Sequence, residues 1–169
     1  EADVVIIGAG YTGFAAASAW QQARPEDRIK ILEADQVGEG SPGRNSGFML
    51  EIALANDARP EELERMEKLN ALSRQTMALL RERVERLGID CQLERSGTYR
   101  AARSTIGQRA LSQYEAFLKA AGLSYQTLNG SQLAERIGTR YYTQGIYSPD
   151  CYLVQPAALI VGLADSLEA

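Results

Sequence analysis

The chain contains no histidine among its 169 residues. That absence excludes a histidine general base, a Ser–His or Cys–His nucleophile pair, and a histidine metal site built from this chain. Chemistry therefore has to come from a cofactor, from carboxylates or tyrosines, or from residues outside this sequence. The sequence identifies no catalytic residue and predicts no metal site.

Cysteine is almost as scarce, since only Cys91 and Cys151 are present. They are far apart and show neither C-x-x-C nor zinc-ligand spacing. We expect two free thiols in a reducing compartment, and hence a cytoplasmic protein. A disulfide between the two cysteines stays open as the alternative.

Long apolar runs and an excess of basic residues are also absent. No stretch approaches the roughly 18 apolar residues of a membrane-spanning helix, so we expect no integral membrane segment. The 18 basic and 22 acidic residues leave a net charge of −4, which gives no support for nucleic acid as a partner. The length suits one domain or slightly more.

A glycine fingerprint opens the chain. A hydrophobic strand at 3–7 runs into Gly8-Ala-Gly10-Tyr-Thr-Gly13, and an alanine-rich helix follows to about residue 23. In G-x-G-x-x-G motifs the first glycine allows a tight turn, the second lets a pyrophosphate approach the backbone, and the third permits close helix–strand packing. The free N–H groups of the helix N-terminus favour phosphate binding.

An acidic residue follows at the position that such a site requires. The second strand, predicted at 28–33, ends in Glu33, 25 residues after Gly8. Dinucleotide-binding units place a ribose-binding carboxylate roughly 20 residues after the glycines. This order of strand, glycines, helix and acid predicts a dinucleotide site. The alternative is a glycine-rich turn in an unrelated α/β domain.

Residues 38–47 contain four glycines, one proline, two serines and Arg44, which rules out a long regular element. Such a loop suits a phosphate-bearing ligand, and the alternative is a plain surface connection.

Downstream, the predicted elements change from the βαβ pattern to an α+β pattern. Capping-box spacing at Asn129 and Gln132 marks the start of a short helix, and Pro156 opens the last one. The predicted elements are a long helix at 60–88, two short strands at 91–95 and 97–103 forming a hairpin around Ser96-Gly97, a helix at 105–121, a strand at 125–128, a helix at 131–137, strands at 145–148 and 152–154, and a helix at 156–168.

The fold class is therefore α/β: a partial Rossmann-like dinucleotide-binding βαβ unit joined to part of an α+β domain. We expect the N-terminal part of a cofactor-binding domain at 1–58, a connecting helix at 59–88, part of a substrate domain at 89–154, and a helix returning to the first domain at 155–169. Because two strands alone leave sheet edges bare, we expect a fragment whose C-terminal half, or a partner chain, is missing.

Four separated segments share a family pattern. They are Val5–Gly13 with Glu33, Ser41-Pro-Gly-Arg-Asn-Ser-Gly-Phe48, Glu94-Arg-Ser-Gly-Thr-Tyr-Arg-Ala-Ala102, and Gly145-Ile-Tyr-Ser-Pro-Asp-Cys-Tyr-Leu-Val-Gln-Pro156. The chain resembles the N-terminal part of the D-amino-acid-oxidase-like flavoproteins, which are FAD-dependent amine and amino-acid oxidoreductases. It departs from them at Cys151-Tyr152, where a glycine is usual, and at Gln155, where Asp or Asn is common.

The resemblance implies FAD as cofactor and an amine or amino acid as substrate, with a hydride passing from the amine-bearing carbon to flavin N5. It places the pyrophosphate on the backbone of residues 8–13, the ribose at Glu33, and the flavin near Gly47 and Phe48. The cofactor-binding candidates are Gly8, Ala9, Gly10, Tyr11, Thr12, Gly13, Glu33, Ala34, Ser41, Arg44, Asn45, Ser46, Gly47 and Phe48. The alternatives are an NAD(P)-dependent dehydrogenase domain and a non-catalytic cofactor-binding subunit.

Overall fold

In the computed structural model, residues 1–52 and 60–168 are described. The elements in chain order are β1 (Val4–Ile7), α1 (Tyr11–Ala23), β2 (Ile29–Leu32), β3 (Phe48–Leu50), α2 (Pro60–Leu87), β4 (Thr98–Ala102), α3 (Thr105–Ala120), β5 (Gln126–Asn129), α4 (Gly130–Ile137), β6 (Gln144–Ser148), β7 (Cys151–Leu153) and α5 (Pro156–Glu168). The mixed α/β class is confirmed.

The chain divides into two compact units. The first comprises Glu1–Phe48, Leu80–Leu93 and Val154–Ala169, and the second comprises Met49–Leu79 and Glu94–Leu153. Helix α2 therefore contributes residues to both units. The expected boundary between residues 58 and 59 lies outside the described residues.

The first unit is built on a parallel pair of strands. β1 pairs with β2 in the register Val4–Ile29 to Ile7–Leu32, and α1 connects the two strands as a βαβ crossover. Phe14 of α1 and Ile160 of α5 are buried together with Ala9, and Ile31 packs against them. α5 therefore covers part of the same apolar surface as α1.

Among the described residues, one face of this small sheet is covered and the other is not. Side chains alternate along both strands between half-buried and exposed, and Ile7 is 88% exposed. The nearly continuous Val/Ile/Leu runs predicted strands buried on both faces. Within the described residues that prediction is wrong, because α1 and α5 pack on one side and the apolar side chains of the other side remain exposed.

The second unit contains an antiparallel sheet in the order β4-β6-β5, and β7 pairs with β3. Helix α3 packs on this three-stranded sheet. Its side chains Leu111, Tyr114, Phe117 and Leu118 are buried together with Ile146 of β6. These spacings of three and four residues place one stripe of α3 in the core.

The predicted hairpin around Ser96-Gly97 is wrong. β4 pairs with β6, and Glu94 forms an isolated antiparallel bridge with Leu153. Gly97 adopts a φ of +66°, and a Cβ there would lie 2.4 Å from the ring of Tyr147. The turn is therefore shaped by a side chain 50 residues away in the sequence rather than by pairing between neighbouring segments.

Both cysteines are buried free thiols, so the expectation of free thiols is confirmed. Cys91 belongs to the first unit and Cys151 to the second.

Candidate cofactor site

The turn between β1 and α1 depends on two glycines. Gly8 has a φ of +100°, a backbone conformation that other residues rarely adopt, and its N–H donates to the carbonyl of Leu32 at 2.7 Å. A Cβ on Gly13 would lie only 2.0 Å from the carbonyl oxygen of Gly8. Glycine at 13 therefore lets the first turn of α1 lie directly against the end of β1.

The N-terminus of α1 is free of side-chain caps. Gly10 stands at the N-cap with extended backbone (ψ 179°), and the first turn contains no acidic residue. Since the first N–H groups of a helix have no partner within it, this end of a 13-residue helix offers donors to an anion.

A cavity of about 480 Å³ opens at this helix end. Seven of the fourteen candidate residues line it: Gly8, Gly10, Tyr11, Thr12, Gly13, Ser41 and Asn45. Ile6, Ile7, Ala16 and Pro42 line it as well. Two segments separated by about 30 residues, the glycine fingerprint and the loop at 38–47, therefore share one cavity.

Glu33 lies at the end of β2, and its carboxylate is held by backbone groups. The N–H of Ala9 donates to Oε2 at 2.7 Å, and the N–H of Ala34 donates to Oε1 at 2.9 Å. These hydrogen bonds hold the pKa of Glu33 below its usual value, and the one from Ala9 contributes most. The carboxylate stays ionised and exposed, and it has acceptor positions left for the hydroxyls of a ribose.

Ala9 and Glu33 also line a second cavity of about 320 Å³, together with residues of α1, β2 and α5. The backbone amides of Ala9 and Ala34 are engaged by Glu33. Both amides therefore orient the carboxylate, and the structure gives them no free donor for a phosphate.

The remaining candidates lie in and after the loop at 38–47. Arg44 pairs with Glu39, and both side chains are largely exposed. Ser46 and Phe48 are exposed as well. None of these three candidates lines the cavity at the helix end.

Gly47 is buried and has a φ of +74°. A Cβ there would lie 2.1 Å from the carbonyl oxygen of Val154. Its carbonyl accepts the N–H of Val154 at 3.0 Å. The glycine is therefore required by close backbone packing within the first unit, whatever lies beyond it.

Sequence reasoning missed four residues that line this cavity, Ile6, Ile7, Ala16 and Pro42, and Pro42 is the one with polar contacts to two candidates. Its carbonyl accepts the hydroxyl of Tyr11 at 3.2 Å and the side-chain amide of Asn45 at 2.8 Å. The only available signal was its position inside a glycine-rich loop, since a backbone acceptor leaves no trace in the residue type.

These observations fit a dinucleotide. Three features are the parts that hold a pyrophosphate and a ribose. They are an uncapped helix end, a turn with a positive φ at Gly8 and no room for a Cβ at Gly13, and an ionised carboxylate at the neighbouring strand end. Whether each candidate residue contacts the cofactor stays a prediction.

A family model described as "FAD dependent oxidoreductase" matches residues 3–169. The chain belongs to this family. The resemblance noted from four segments of sequence is thereby confirmed, and FAD is the cofactor of the family.

Curated relatives are oxidoreductases. The gamma-glutamylputrescine oxidoreductase of Escherichia coli is 25% identical over 170 residues, which cover 98% of this chain and 39% of the relative. A probable oxidoreductase of Haemophilus influenzae, OrdL, is also 25% identical, over 97% of this chain and 38% of its own length. The chain thus spans about two fifths of the curated relatives it matches.

Solved structures share the fold at lower identity. Glycine oxidase from Bacillus cereus superposes with a TM-score of 0.74 at 22% identity, over 99% of this chain and 44% of that one. L-amino acid deaminase from Proteus myxofaciens gives 0.71 at 23%, over 99% and 36%. At these identities the likeness shows the fold alone.

No helix among residues 1–52 and 60–168 has both the length and the apolar composition needed to cross a membrane. In the same ranges no three Cys, Asp or Glu side chains are grouped to hold a metal ion.

Proposed function

We propose that the whole protein oxidises an amine or amino acid with FAD, and that this chain supplies the part that binds the pyrophosphate and the ribose. The observation that carries the proposal is the shared cavity of the glycine fingerprint and residues 41–45, with ionised Glu33 at the neighbouring strand end. It occurs in a chain of the FAD-dependent oxidoreductase family.

The substrate class rests on the names of related proteins. The Escherichia coli relative is a gamma-glutamylputrescine oxidoreductase, and the fold is shared with a glycine oxidase and an L-amino acid deaminase. Each of these names refers to an amine or an amino acid. We infer the same class for this protein, without a choice between the two.

In this proposal the chain's own residues bind and orient. The first-turn amides of α1 hold the diphosphate, Glu33 accepts hydrogen bonds from the ribose, and Gly8 and Gly13 keep the helix end close to the strand. When bound, FAD would supply the hydride acceptor, flavin N5, for oxidation at the amine-bearing carbon. Such chemistry needs no histidine from this chain, in agreement with the composition.

The test uses the whole protein reconstituted with FAD. We expect yellow flavin absorption that stays with the protein on gel filtration, and bleaching without oxygen by at least one member of a substrate panel. The panel comprises glycine, D-amino acids, N-methyl amino acids and polyamine derivatives. Retention of NAD with no flavin absorption would favour a dehydrogenase domain instead, and flavin binding without bleaching by any member would count against amine oxidation.

We also propose a reducing compartment such as the cytoplasm, because both thiols are buried and free. Thiol labelling of protein denatured directly from cells should modify both cysteines. A pair that resists labelling until reduced would contradict the proposal.

A further inference from the structure

The carbonyl of Pro42 joins the two segments that border the cofactor cavity. It accepts the Tyr11 hydroxyl, which belongs to the first turn of α1, and the Nδ2 group of Asn45, three residues further along its own loop. The Cγ of Pro42 lies 3.5 Å from the position that a Cβ on Gly10 would occupy, which is an ordinary van der Waals distance. The loop and the helix end therefore meet at one residue.

Asn45 uses its side chain within the loop. Nδ2 also donates to the carbonyl of Ser41 at 3.2 Å, and Oδ1 accepts the N–H of Gly47 at 2.8 Å. An asparagine amide has two donor hydrogens and one oxygen. Both hydrogens and one lone pair are thus engaged by the loop backbone, which leaves Asn45 no donor for a phosphate.

The environment of Tyr11 agrees with a structural contact. Burial raises the pKa of its phenol above the usual value, and the neighbouring Asn45 side chain offsets part of that rise. The hydroxyl therefore remains protonated at neutral pH and donates to the carbonyl.

The loop that contains Pro42 is closely packed. A Cβ on Gly43 would lie 2.0 Å from the carbonyl oxygen of Gly38, and the N–H of Gly43 donates to the carbonyl of Gly40 at 3.2 Å. Residues 38–43 therefore form a compact turn.

We propose that Tyr11 and Asn45 form a latch that fixes residues 41–45 against the N-terminus of α1 and so sets the width of the cofactor cavity. Both are positioning residues that act through the carbonyl of Pro42, rather than residues that touch the cofactor. The inference rests on the proposed function for the identity of the ligand, but the latch itself is a property of the chain without ligand.

The experiment compares Tyr11→Phe and Asn45→Ala with the unaltered whole protein, stripped of cofactor. Arg44 is exposed and lies inside the latched loop, so trypsin cleavage on the carboxyl side of Arg44 reports how often the loop opens. Tyr11→Phe leaves the Arg44–Asn45 bond unchanged, whereas Asn45→Ala keeps Arg44 and changes the residue after the cut. Cleavage is followed by mass spectrometry and compared with cleavage after Arg103 in the second unit. Tyr141→Phe, which removes an exposed hydroxyl elsewhere, serves as the matched control.

We expect cleavage after Arg44 to accelerate roughly 2- to 12-fold in Tyr11→Phe, the range that corresponds to the net contribution of one hydrogen bond. Asn45→Ala should open the loop further, because three hydrogen bonds are lost. Cleavage after Arg103 and the Tyr141→Phe control should not change.

A second measurement separates a latch from a direct contact. FAD binding, followed by flavin fluorescence, should weaken in Tyr11→Phe by about the same factor as cleavage accelerates. Weaker FAD binding with unchanged cleavage would overturn the latch and assign the hydroxyl to the cofactor, and no change in either measurement would also overturn it. A protein that takes up no FAD refutes the proposed function, and the cleavage rates alone then decide the latch.

Discussion

Single backbone positions decide the shape of the βα turn. At Gly13 the constraint is purely steric, because the carbonyl oxygen of Gly8 occupies the space where a side chain would begin. At Gly8 and Gly47 the constraint is a left-handed φ, and at Gly47 the backbone of Val154 adds a steric one. Three glycines that look alike in the sequence are thus required for different reasons.

Gly13→Ala should lower the free energy of unfolding of the first unit by about 1–3 kcal/mol, the usual cost of forcing atoms into a packed site. A Cβ 2.0 Å from a carbonyl oxygen requires α1 to move away from β1. Chemical denaturation followed by circular dichroism measures the change.

Gly40→Ala is the matched control, because a Cβ there meets only Pro42 Cδ at 3.7 Å. It should change stability by less than about 0.5 kcal/mol. Equal effects of the two substitutions would show that close helix–strand packing is not what requires glycine at position 13.

The Glu33 carboxylate offers a second test on a single residue. Glu33→Gln removes the charge and replaces one acceptor oxygen by an NH₂ group, which would face the N–H of Ala9 or Ala34. Hydrogen bonds to a charged acceptor contribute roughly 1.5–3 kcal/mol, so the dissociation constant for FAD should rise about tenfold or more. Titration of the whole protein followed by flavin fluorescence gives the constant.

Asp35→Asn controls for charge alone, because Asp35 is exposed two residues away and its carboxylate accepts the N–H of its neighbour Gln36 at 2.9 Å. Its FAD affinity should stay close to that of the unaltered protein. If both variants lose affinity equally, the effect is one of net charge and not of the geometry at Glu33.

Among the elements, those with local signals were predictable. The capping box of α4 is present, with the Asn129 side chain accepting the N–H of Gln132 and the Gln132 side chain accepting the N–H of Asn129, both at 3.0 Å. α1 and α5 occupy the predicted residues, and α2 and α3 each end one residue early. Helices are readable because periodicity, caps and proline act within a few residues.

Asn129→Ala should cost about 1 kcal/mol of stability in the second unit, the usual value of an N-cap side chain. Ser131→Ala in the same turn should cost little, because Ser131 is exposed. Urea denaturation of the two variants checks the difference. A loss of the same size for Ser131→Ala would show that helix propensity, and not the cap, is being measured.

The strands were predicted less well than the helices. The existence of most strands was predicted, but the hairpin at 91–103 was not formed and β3 was missed. Strand pairing is a choice among distant partners, and β4 pairs with β6 more than 40 residues away. A short apolar run contains no signal for that choice.

For the molecule as a whole, four titratable groups predict a loss of stability in alkali. Desolvation raises the pKa of Cys91, Cys151 and Tyr114, which are buried, and of Tyr11, which is 38% exposed, above their ordinary values. In the unfolded chain these groups lose their protons at their ordinary pKa values, while the folded chain retains them. The unfolded state then binds fewer protons, so stability is complete below about pH 9 and falls as the pH rises further.

The urea midpoint of each unit should therefore be lower at pH 10 than at pH 7.5. Replacing both cysteines by alanine should reduce the part of the decline that begins near pH 9 and leave the part due to the tyrosines. A midpoint that does not change between the two pH values would show that these groups are solvated in the folded protein.

Local chemistry along the chain was enough to predict the βαβ unit, the acid at the end of β2, the helices and the family. Each of these depends on steric and hydrogen-bonding rules that operate over a few residues or on a motif with known spacing. The tertiary structure alone decided that Pro42 joins the loop to α1 and that Tyr147 requires glycine at position 97. Those contacts depend on which distant segments pack together, and that choice is made by the burial of the whole fold rather than by any one stretch of sequence.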